Sequence, residues 1–337
     1  MTRTPRKVQH ATVGALLVAL AACSSATTDS GAGSIKAVVL PYLSMAPLHV
    51  AAAEGYFEDE NLDVEFMTLQ RHQDHRTALV RGEVDVAAGM ISVNELALAA
   101  QGEPMRIVAG LGQLVPGECS FAAVVARTEH VESGAITDPD RIRQMKFDAD
   151  VLIPFGFWLD VLLEPQGLTV DDLDMVNLPS TASVPALIAG QIDVTIESEP
   201  FLSTLLAADE ATLWEETEQL VPGFMVSVVL YGPTLLNERR DDGVRFASAL
   251  VRGIRQYDQG KTPRNREIVQ GFSGLPAPRI AEACWPTASE NGRMDPALLR
   301  DYQEWVVKRG YVDRVVEDDE LFDPSFIEEA LASVDNR

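Results

Sequence analysis

The chain has 337 residues, and its 51 aspartate and glutamate residues outnumber its 27 lysine and arginine residues, which gives a formal net charge of −24 at pH 7. This acidity argues against binding to nucleic acid or to an anionic membrane surface. The length is sufficient for two domains of ordinary size, and beyond the N-terminus no segment approaches the roughly 20 apolar residues of a membrane-spanning helix.

The N-terminus has the pattern of an export signal. Basic residues come first, the apolar run 11–22 follows, and Leu20-Ala21-Ala22 leads directly to Cys23. The pattern predicts a bacterial lipoprotein signal peptide over residues 1–22, lipid attachment at Cys23 and a flexible tether over residues 23–34. The protein would then be anchored on the extracytoplasmic face of the cell membrane. The alternative is a secreted protein in which Cys23 has no special role.

The first predicted unit after the tether is strand, helix, strand. Residues 35–40 form a short β-branched run, the chain breaks at Pro41, an apolar helical segment follows, and residues 62–66 alternate as a second strand. This is the order of a parallel α/β unit. Ligands in such sheets bind beyond the carboxyl ends of the strands, beside helix N-termini. We therefore expect a binding site that includes three residues after the break: Tyr42, Ser44 and Met45.

The chain contains an internal repeat. Residues 78–86, ALVRGEVDV, recur as residues 186–194, ALIAGQIDV, and a matching strand precedes each copy. Both copies have the pattern of a helix, a glycine cap and a strand. The repeat predicts two similar α/β lobes.

Two further predicted strands link the lobes. They cover residues 120–126 and 224–230, and each follows a Pro-Gly turn. The first lobe is accordingly predicted to comprise residues 35–119 with 231–337, and the second lobe residues 120–230. Amphipathic helices predicted in the C-terminal third should complete the first lobe.

Two stretches resemble a known family. Near the N-terminus an apolar helix ends in Glu54-Gly55-Tyr56-Phe57 and is followed by Leu62-Asp63-Val64, and near the C-terminus stands the segment 292–312, GRMDPALLRDYQEWVVKRGYV. Both resemble the nitrate, sulfonate, taurine and thiamine-pyrimidine family of solute-binding proteins of ABC importers. The resemblance implies a fold like that of the type II periplasmic binding proteins, in which two α/β lobes are joined by a two-strand hinge with the ligand cleft between them.

The resemblance also implies a function. A member of this family captures a small solute by lobe closure and delivers it to an ABC permease with its ATPase, without bond chemistry and without a cofactor, and we expect a monomer. One branch, the thiamine-pyrimidine synthases, is enzymatic, but it is cytosolic and has a cysteine-rich iron motif that this chain lacks. A lipoprotein that reports its bound state to a separate sensor is a further alternative.

Residues after the later strands of the first lobe are additional site candidates. They follow the second and third predicted strands: Gln70, His72, Gly89, Met90 and Ser92. Ser92 and Glu95 match a capping box that opens a helix, and the free N–H groups of that helix could hold a ligand oxygen or serve only as a cap.

The second lobe offers acidic and aromatic candidates: Asp150, Phe155, Trp158, Glu197 and Glu199. Sulfonate-binding members of the family tend to have small residues in the first loop of this lobe, whereas residues 151–158 here are apolar and aromatic. Together with the acids, this loop favours a neutral or cationic organic ligand, which could be heteroaromatic. The alternative is that the aromatic residues are core and that the acids are solvated.

The remaining cysteines and two closely spaced histidines are candidates for other chemistry. Cys119 and Cys284 form an even pair in an exported protein, so they are either a disulfide or two separate buried thiols. His72 and His75 are spaced to share a metal, but no third ligand is evident. The chain contains no G-x-S-x-G, H-E-x-x-H, P-loop or paired C-x-x-C motif, so we expect neither catalysis nor a metal centre.

Overall fold

The computed structural model describes residues 1–2, 33–67 and 77–337. Within these ranges ten strands form two five-stranded sheets. The strands are β1 (Gly33–Val38), β2 (Leu62–Met67), β3 (Val86–Gly89), β4 (Arg106–Gln113), β5 (Ala122–Arg127), β6 (Lys146–Asp148), β7 (Asp174–Val176), β8 (Val194–Ser198), β9 (Ala211–Glu216) and β10 (Met225–Tyr231).

Helices pack around both sheets. Over the described ranges they are α1 (Ala46–Ala53), α2 (Tyr56–Asp59), α3 (Val93–Ala100), α4 (Thr128–Glu132), α5 (Pro139–Ile142), α6 (Pro154–Leu163), α7 (Ser180–Ile188), α8 (Phe201–Leu205), α9 (Thr217–Leu220), α10 (Arg240–Tyr257), α11 (Pro263–Ser273), α12 (Ala277–Glu282), α13 (Arg300–Lys308), α14 (Asp318–Leu321) and α15 (Ser325–Asp335). Residues 77–80 are also helical, and a short 3-10 turn, Leu43–Met45, precedes α1.

The two sheets have equivalent topologies. The first has the order β2-β1-β3-β10-β4, with β1 parallel to its neighbours and β10 antiparallel to its own. The second has the order β7-β6-β8-β5-β9, with β6 parallel to its neighbours and β5 antiparallel to its own. The chain thus enters the second sheet through β5 and returns to the first through β10. The predicted α/β fold with two lobes is confirmed.

The two copies of the internal repeat form equivalent local structures and equivalent hydrogen bonds. In each copy a glycine with positive φ follows the helix, and strand β3 or β8 begins shortly afterwards. The repeated aspartates then make equivalent bonds, since Lys36 N donates to Asp85 Oδ2 at 2.9 Å and Lys146 N donates to Asp193 Oδ2 at 2.8 Å. Each aspartate therefore ties the start of β3 or β8 to the neighbouring parallel strand, β1 or β6.

An aromatic cluster connects α6 of the second lobe to the C-terminal helix α13. The Phe157 ring lies 5.9 Å from Tyr302 and 6.1 Å from Trp305, and Trp158 packs edge-on against Phe224 at 5.5 Å. Helix α13, which the sequence assigns to the first lobe, therefore also packs against the second. Phe224 immediately precedes β10, so the cluster lies beside a strand by which the chain passes between the lobes.

Several sequence predictions lie outside the described residues. These are the signal peptide, the lipid attachment site Cys23, the tether up to residue 32, and the site candidates Gln70 and His72. The predicted end of the tether at residue 34 is wrong, because Gly33 and Ser34 already belong to β1. None of the helices in the described part of the chain is long and apolar enough to cross a membrane.

Cys119 and Cys284 form a disulfide in the structure, with their Cα atoms 5.4 Å apart. Cys119 belongs to the crossing between β4 and β5, and Cys284 follows α12. The bond joins residues 165 positions apart. Restricting so long a loop in the unfolded chain stabilises a protein by roughly 2 to 4 kcal/mol.

We therefore expect reduction of this disulfide to lower the melting temperature. Thiol titration of the denatured Cys23→Ala protein, prepared without reductant, should detect no free thiol. The double variant Cys119→Ala/Cys284→Ala is the matched control, and its melting temperature should equal that of the reduced protein and should not respond to reductant. Two titratable thiols in the unreduced protein would contradict the pairing.

Candidate functional site

A cavity lies between the two lobes, at the carboxyl ends of β1, β3 and β8. Its empty volume is about 530 Å³ when the open mouth is included. Its walls are formed by Leu40, Tyr42, Ser44, Met45, Gly89, Met90, Phe121, Ile153, Phe155, Ser180, Glu197, Ser198 and Ser227. Most of the wall is apolar, and Glu197 is the one acidic or basic side chain among these described residues.

The first lobe contributes a pair of hydroxyl groups to the cavity. Ser44 lies in the 3-10 turn after β1, and Ser227 lies in β10. The Ser227 hydroxyl donates a hydrogen bond of 2.8 Å to the Ser44 hydroxyl, and both residues are buried. Pairing satisfies the buried oxygens, which would otherwise carry a desolvation penalty of about 1 to 3 kcal/mol.

Glu197 is the principal titratable group of the second-lobe wall. It lies in β8 and is only 3% exposed. Burial raises the pKa of its carboxyl group to about 7, hydrogen bonds with Ser180 and Ser183 oppose the increase, and the negative charge of Asp148 adds to it. Near neutral pH this carboxyl group is therefore poised between its acid and carboxylate forms.

A second buried carboxyl group lies behind Glu197. Asp148 Oδ1 accepts a hydrogen bond of 2.8 Å from Leu178 N, and Asp148 Oδ2 accepts one of 3.3 Å from the Thr195 hydroxyl. The Thr195 and Ser183 hydroxyl oxygens are 2.9 Å apart. Burial raises the pKa of Asp148, and hydrogen bonds with Ser183, Leu178 N and Thr195 oppose the increase. Hydroxyl groups thus connect the two acids.

Tyr42 reaches from the first lobe to this polar group of the second. Burial raises the pKa of its phenol, a side-chain hydrogen bond with Ser180 lowers it, and the charge of Glu197 raises it again. Its ring lies 6.0 Å from that of Phe201 in α8. Tyr42 is therefore a neutral phenol that bridges the lobes at one wall of the cavity.

Two backbone hydrogen bonds also join the lobes beside the cavity. Val93 N, at the first position of α3, donates to Leu152 O at 2.9 Å, and Leu43 N donates to Glu199 O at 3.3 Å. The first N–H groups of a helix have no partner within the helix, so the end of α3 is available for this interaction. The α3 N–H group at Val93, which the sequence suggested for a ligand, holds the opposite lobe instead.

Seven of the residues that the sequence proposes line the cavity together: Tyr42, Ser44, Met45, Gly89, Met90, Phe155 and Glu197. Six other wall residues were not proposed as ligand contacts: Leu40, Phe121, Ile153, Ser180, Ser198 and Ser227. A serine within the apolar strand FMVSVVL was the one available signal for Ser227.

Four proposed residues lie elsewhere in the structure. Trp158 is completely buried against Phe224, because it faces the aromatic cluster and not the cavity. Ser92 is also completely buried and caps α3 together with Glu95. Asp150 Oδ1 accepts from Leu152 N at 3.0 Å within its own turn.

Glu199 is the fourth proposed residue that does not line the cavity, and its carboxylate is hydrogen-bonded to neighbouring groups. Its carboxylate accepts hydrogen bonds from Ser203 N at 3.2 Å and from Cys284 N at 3.1 Å. Burial raises its pKa, these hydrogen bonds lower it, and Lys261 lowers it further. The Glu199 carboxylate therefore supports the region of the disulfide and does not line the cavity. No group of three or more His, Cys, Asp or Glu residues in the described ranges could hold a metal ion.

Two sheets with equivalent topologies and a cavity between their lobes make up a two-lobed α/β fold of the periplasmic-binding-protein type. The chain matches the model of the NMT1-like family over residues 31–271 and belongs to that family. A search of curated proteins found no match.

Many solved structures share the fold. The ligand-binding component of an ABC-type import system from Staphylococcus aureus, with zinc bound, superposes with a TM-score of 0.74 at 14% identity, over 88% of this chain and 99% of that one. The periplasmic nitrate-binding protein NrtA from Synechocystis PCC 6803 gives 0.71 at 15% identity, over 90% and 89%. The desulfurization enzyme DszB gives 0.62 at 14% identity, over 89% and 99%. At these identities the likeness establishes the fold alone.

Proposed function

We propose that the protein captures a small organic solute, neutral or cationic, between its lobes and delivers it to an ABC permease and its ATPase. The observation that carries the proposal is the cavity between the lobes, whose walls are provided by both sheets. Such a site encloses a ligand when the lobes close and releases it when they open. We assign residues 35–119 with 225–337 to the first lobe and residues 120–224 to the second. The predicted boundary at residue 231 moves to residue 225, because β10 pairs with β3 and β4 of the first sheet.

The character of the walls supports an organic ligand without negative charge. Tyr42, Phe121 and Phe155 offer aromatic surface, and Met45 and Met90 offer polarisable apolar surface. A small anion beside Glu197 would need compensating donors, because a buried charge without a partner costs several kcal/mol. Lysine, arginine and histidine are absent from the described wall.

The arrangement of the hydroxyl groups supports binding without bond chemistry. The fold also occurs in the enzyme DszB, so the fold cannot decide between binding and catalysis. An activated serine nucleophile is paired with a general base. The Ser44–Ser227 pair offers no such base, because the Ser227 hydroxyl donates to another hydroxyl. The Ser180 hydroxyl does meet a carboxyl group, that of Glu197, so for Ser180 the proposal of binding is supported by the family of the chain and not by this geometry.

A ligand screen tests the proposed function. Purified protein would be heated with pyrimidines, amines, sulfonates and aromatic acids, and hits would be measured by calorimetric titration. A ligand at 100 times its dissociation constant adds about 2.7 kcal/mol of stability and so raises the melting temperature. We expect a hit among the neutral or cationic compounds. If no compound of any charge binds, solute capture is refuted; a sulfonate or nitrate as the best ligand would refute only the ligand class.

We further propose that the mature protein is a lipid-anchored monomer on the extracytoplasmic face of the membrane. The support is the sequence pattern that ends at Cys23. Replacing Cys23 with Ala should leave a folded protein that moves from the membrane fraction to the soluble fraction. Cys119→Ala is the matched control, because it removes a different cysteine and should leave the protein in the membrane fraction. Membrane attachment of the Cys23→Ala protein would contradict the anchor.

A further inference from the structure

The carboxyl group of Glu197 faces no positive charge among the described residues. In its sheet Glu197 pairs with Ala123 of β5, and β6 on the other side presents Asp148. Helix α7 presents the hydroxyl groups of Ser180 and Ser183, and the first lobe presents the phenol of Tyr42. The ionisable groups that face Glu197 in the described structure are thus one further acid and one phenol, neither of which can balance a carboxylate.

A buried carboxylate in these surroundings is unfavourable. Glu197 is 3% exposed and Asp148 is 4% exposed, so water screens neither of them well. Taking an ion out of water without an opposite charge costs several kcal/mol, and a protein avoids this penalty by keeping the group protonated. A second carboxyl group nearby increases the penalty, because two like charges repel.

We propose, on the assumption that the cavity is the solute site, that below neutral pH Glu197 holds a proton in the ligand-free protein and exchanges it for the cationic group of a monocationic organic solute. The proton passes to water or buffer, and the cation takes its place beside the carboxylate. Total charge inside the cavity is therefore unchanged by binding. Solute capture is in this way linked to the release of one proton.

The cavity walls favour a compact, mostly apolar ligand that carries one positive charge. Both oxygens of Asp148 already accept hydrogen bonds, from Leu178 N and from Thr195, and Asp148 is not part of the wall. A second cationic group would find no second carboxylate in the described wall. The aromatic faces of Tyr42 and Phe155 favour a cation nearby, through their negative quadrupoles.

Proton exchange makes the affinity dependent on pH. Burial raises the pKa of Glu197 to about 7, so the group is largely protonated at pH 6 and largely ionised at pH 8. A cation that must displace the proton binds more weakly at pH 6. The expected gain in affinity between pH 6 and pH 8 is about tenfold, and a neutral ligand should show no such gain.

The test uses benzylammonium as the cationic probe, with benzyl alcohol and benzoate as neutral and anionic probes of similar size. Calorimetric titration of the full-length protein at pH 6 and pH 8, in two buffers of different ionisation enthalpy, measures affinity and the number of protons released. We expect benzylammonium to bind about tenfold more tightly at pH 8, and to release most of one proton per molecule at pH 6. Glu197→Gln should bind it at least tenfold more weakly than wild type at pH 8, without pH dependence or proton release.

Asp150→Asn is the matched control, because it removes one negative charge near the cavity without altering its wall. It should retain the pH dependence. Equal affinities at pH 6 and pH 8, no binding of benzylammonium, or unchanged binding by Glu197→Gln would overturn the proton exchange. If the general screen still finds ligands, solute capture survives that result; if the screen finds none, both proposals fail.

Discussion

Val93→Pro should open the protein without unfolding helix α3. Val93 occupies the first position of α3, where its N–H has no partner within the helix and donates instead to Leu152 O of the other lobe at 2.9 Å. Proline is favoured at this position, and Ser92 already has the extended conformation, φ −112° and ψ 171°, that a residue before proline adopts. The substitution therefore removes one donor and leaves the helix intact.

The loss of this bond should shift the lobes towards the open state. Leu152 O would lose its partner in the closed state, at a cost of about 1 to 3 kcal/mol, which is roughly a fivefold to 150-fold change in the ratio of closed to open protein. Small-angle scattering should show a larger radius of gyration, and any ligand from the screen should bind more weakly by a similar factor.

The Val93→Ala variant distinguishes the effect of the backbone N–H group from that of the valine side chain. Val93 is 5% exposed, so the alanine variant loses packing and is less stable, but it keeps the donor to Leu152. It should scatter like the wild-type protein. If the alanine variant opens as much as the proline variant, packing of the side chain and not the hydrogen bond holds the lobes together.

The architecture could be predicted from the sequence because its signals are local. Alternating apolar residues and glycine turns each act within a few residues, and the internal repeat marks the same unit in both lobes, where its aspartate bonds to the adjacent strand. The order of helix, turn and strand is therefore preserved in the two copies. Sequence alone could also locate Tyr42, Ser44 and Glu197, because each follows or ends a strand at the edge where parallel sheets bind ligands.

The sequence does not predict which residues of helix α6 line the cavity. Its sequence, PFGFWLDVLL, is apolar on nearly every side, so periodicity cannot tell which face points to the cavity. Phe155 faces the cavity, whereas Trp158, on the next turn, faces Phe224 and the aromatic cluster. Ser227 could not be predicted for a different reason. It lies within a strand and not at a strand end, and it lines the cavity because β10 inserts beside β3. Both cases depend on contacts between distant parts of the chain.

Glu197→Gln should stabilise the protein at pH 8. The pKa of Glu197 is raised from 4.5 to about 7 by burial, so as pH rises the unfolded chain loses its proton first and folding becomes less favourable. Stability is thus lost between about pH 4.5 and pH 7 and is constant above that range. A difference of about 2.5 pH units corresponds to about 3 kcal/mol, which the neutral glutamine would restore.

Urea unfolding of the ligand-free protein at pH 5 and pH 8 measures this effect. The stability of Glu197→Gln relative to wild type should be greater at pH 8 than at pH 5 by about 2.5 kcal/mol, because at pH 5 ionisation of the glutamate favours the unfolded chain by less than about 1 kcal/mol. Asp150→Asn again controls for the change in net charge. A variant that is destabilised equally at both pH values would show that glutamine cannot replace the hydrogen bonds with Ser180 and Ser183. The folded protein would then hold Glu197 as a stabilised carboxylate, and the cavity would already contain the charge that a cationic solute needs.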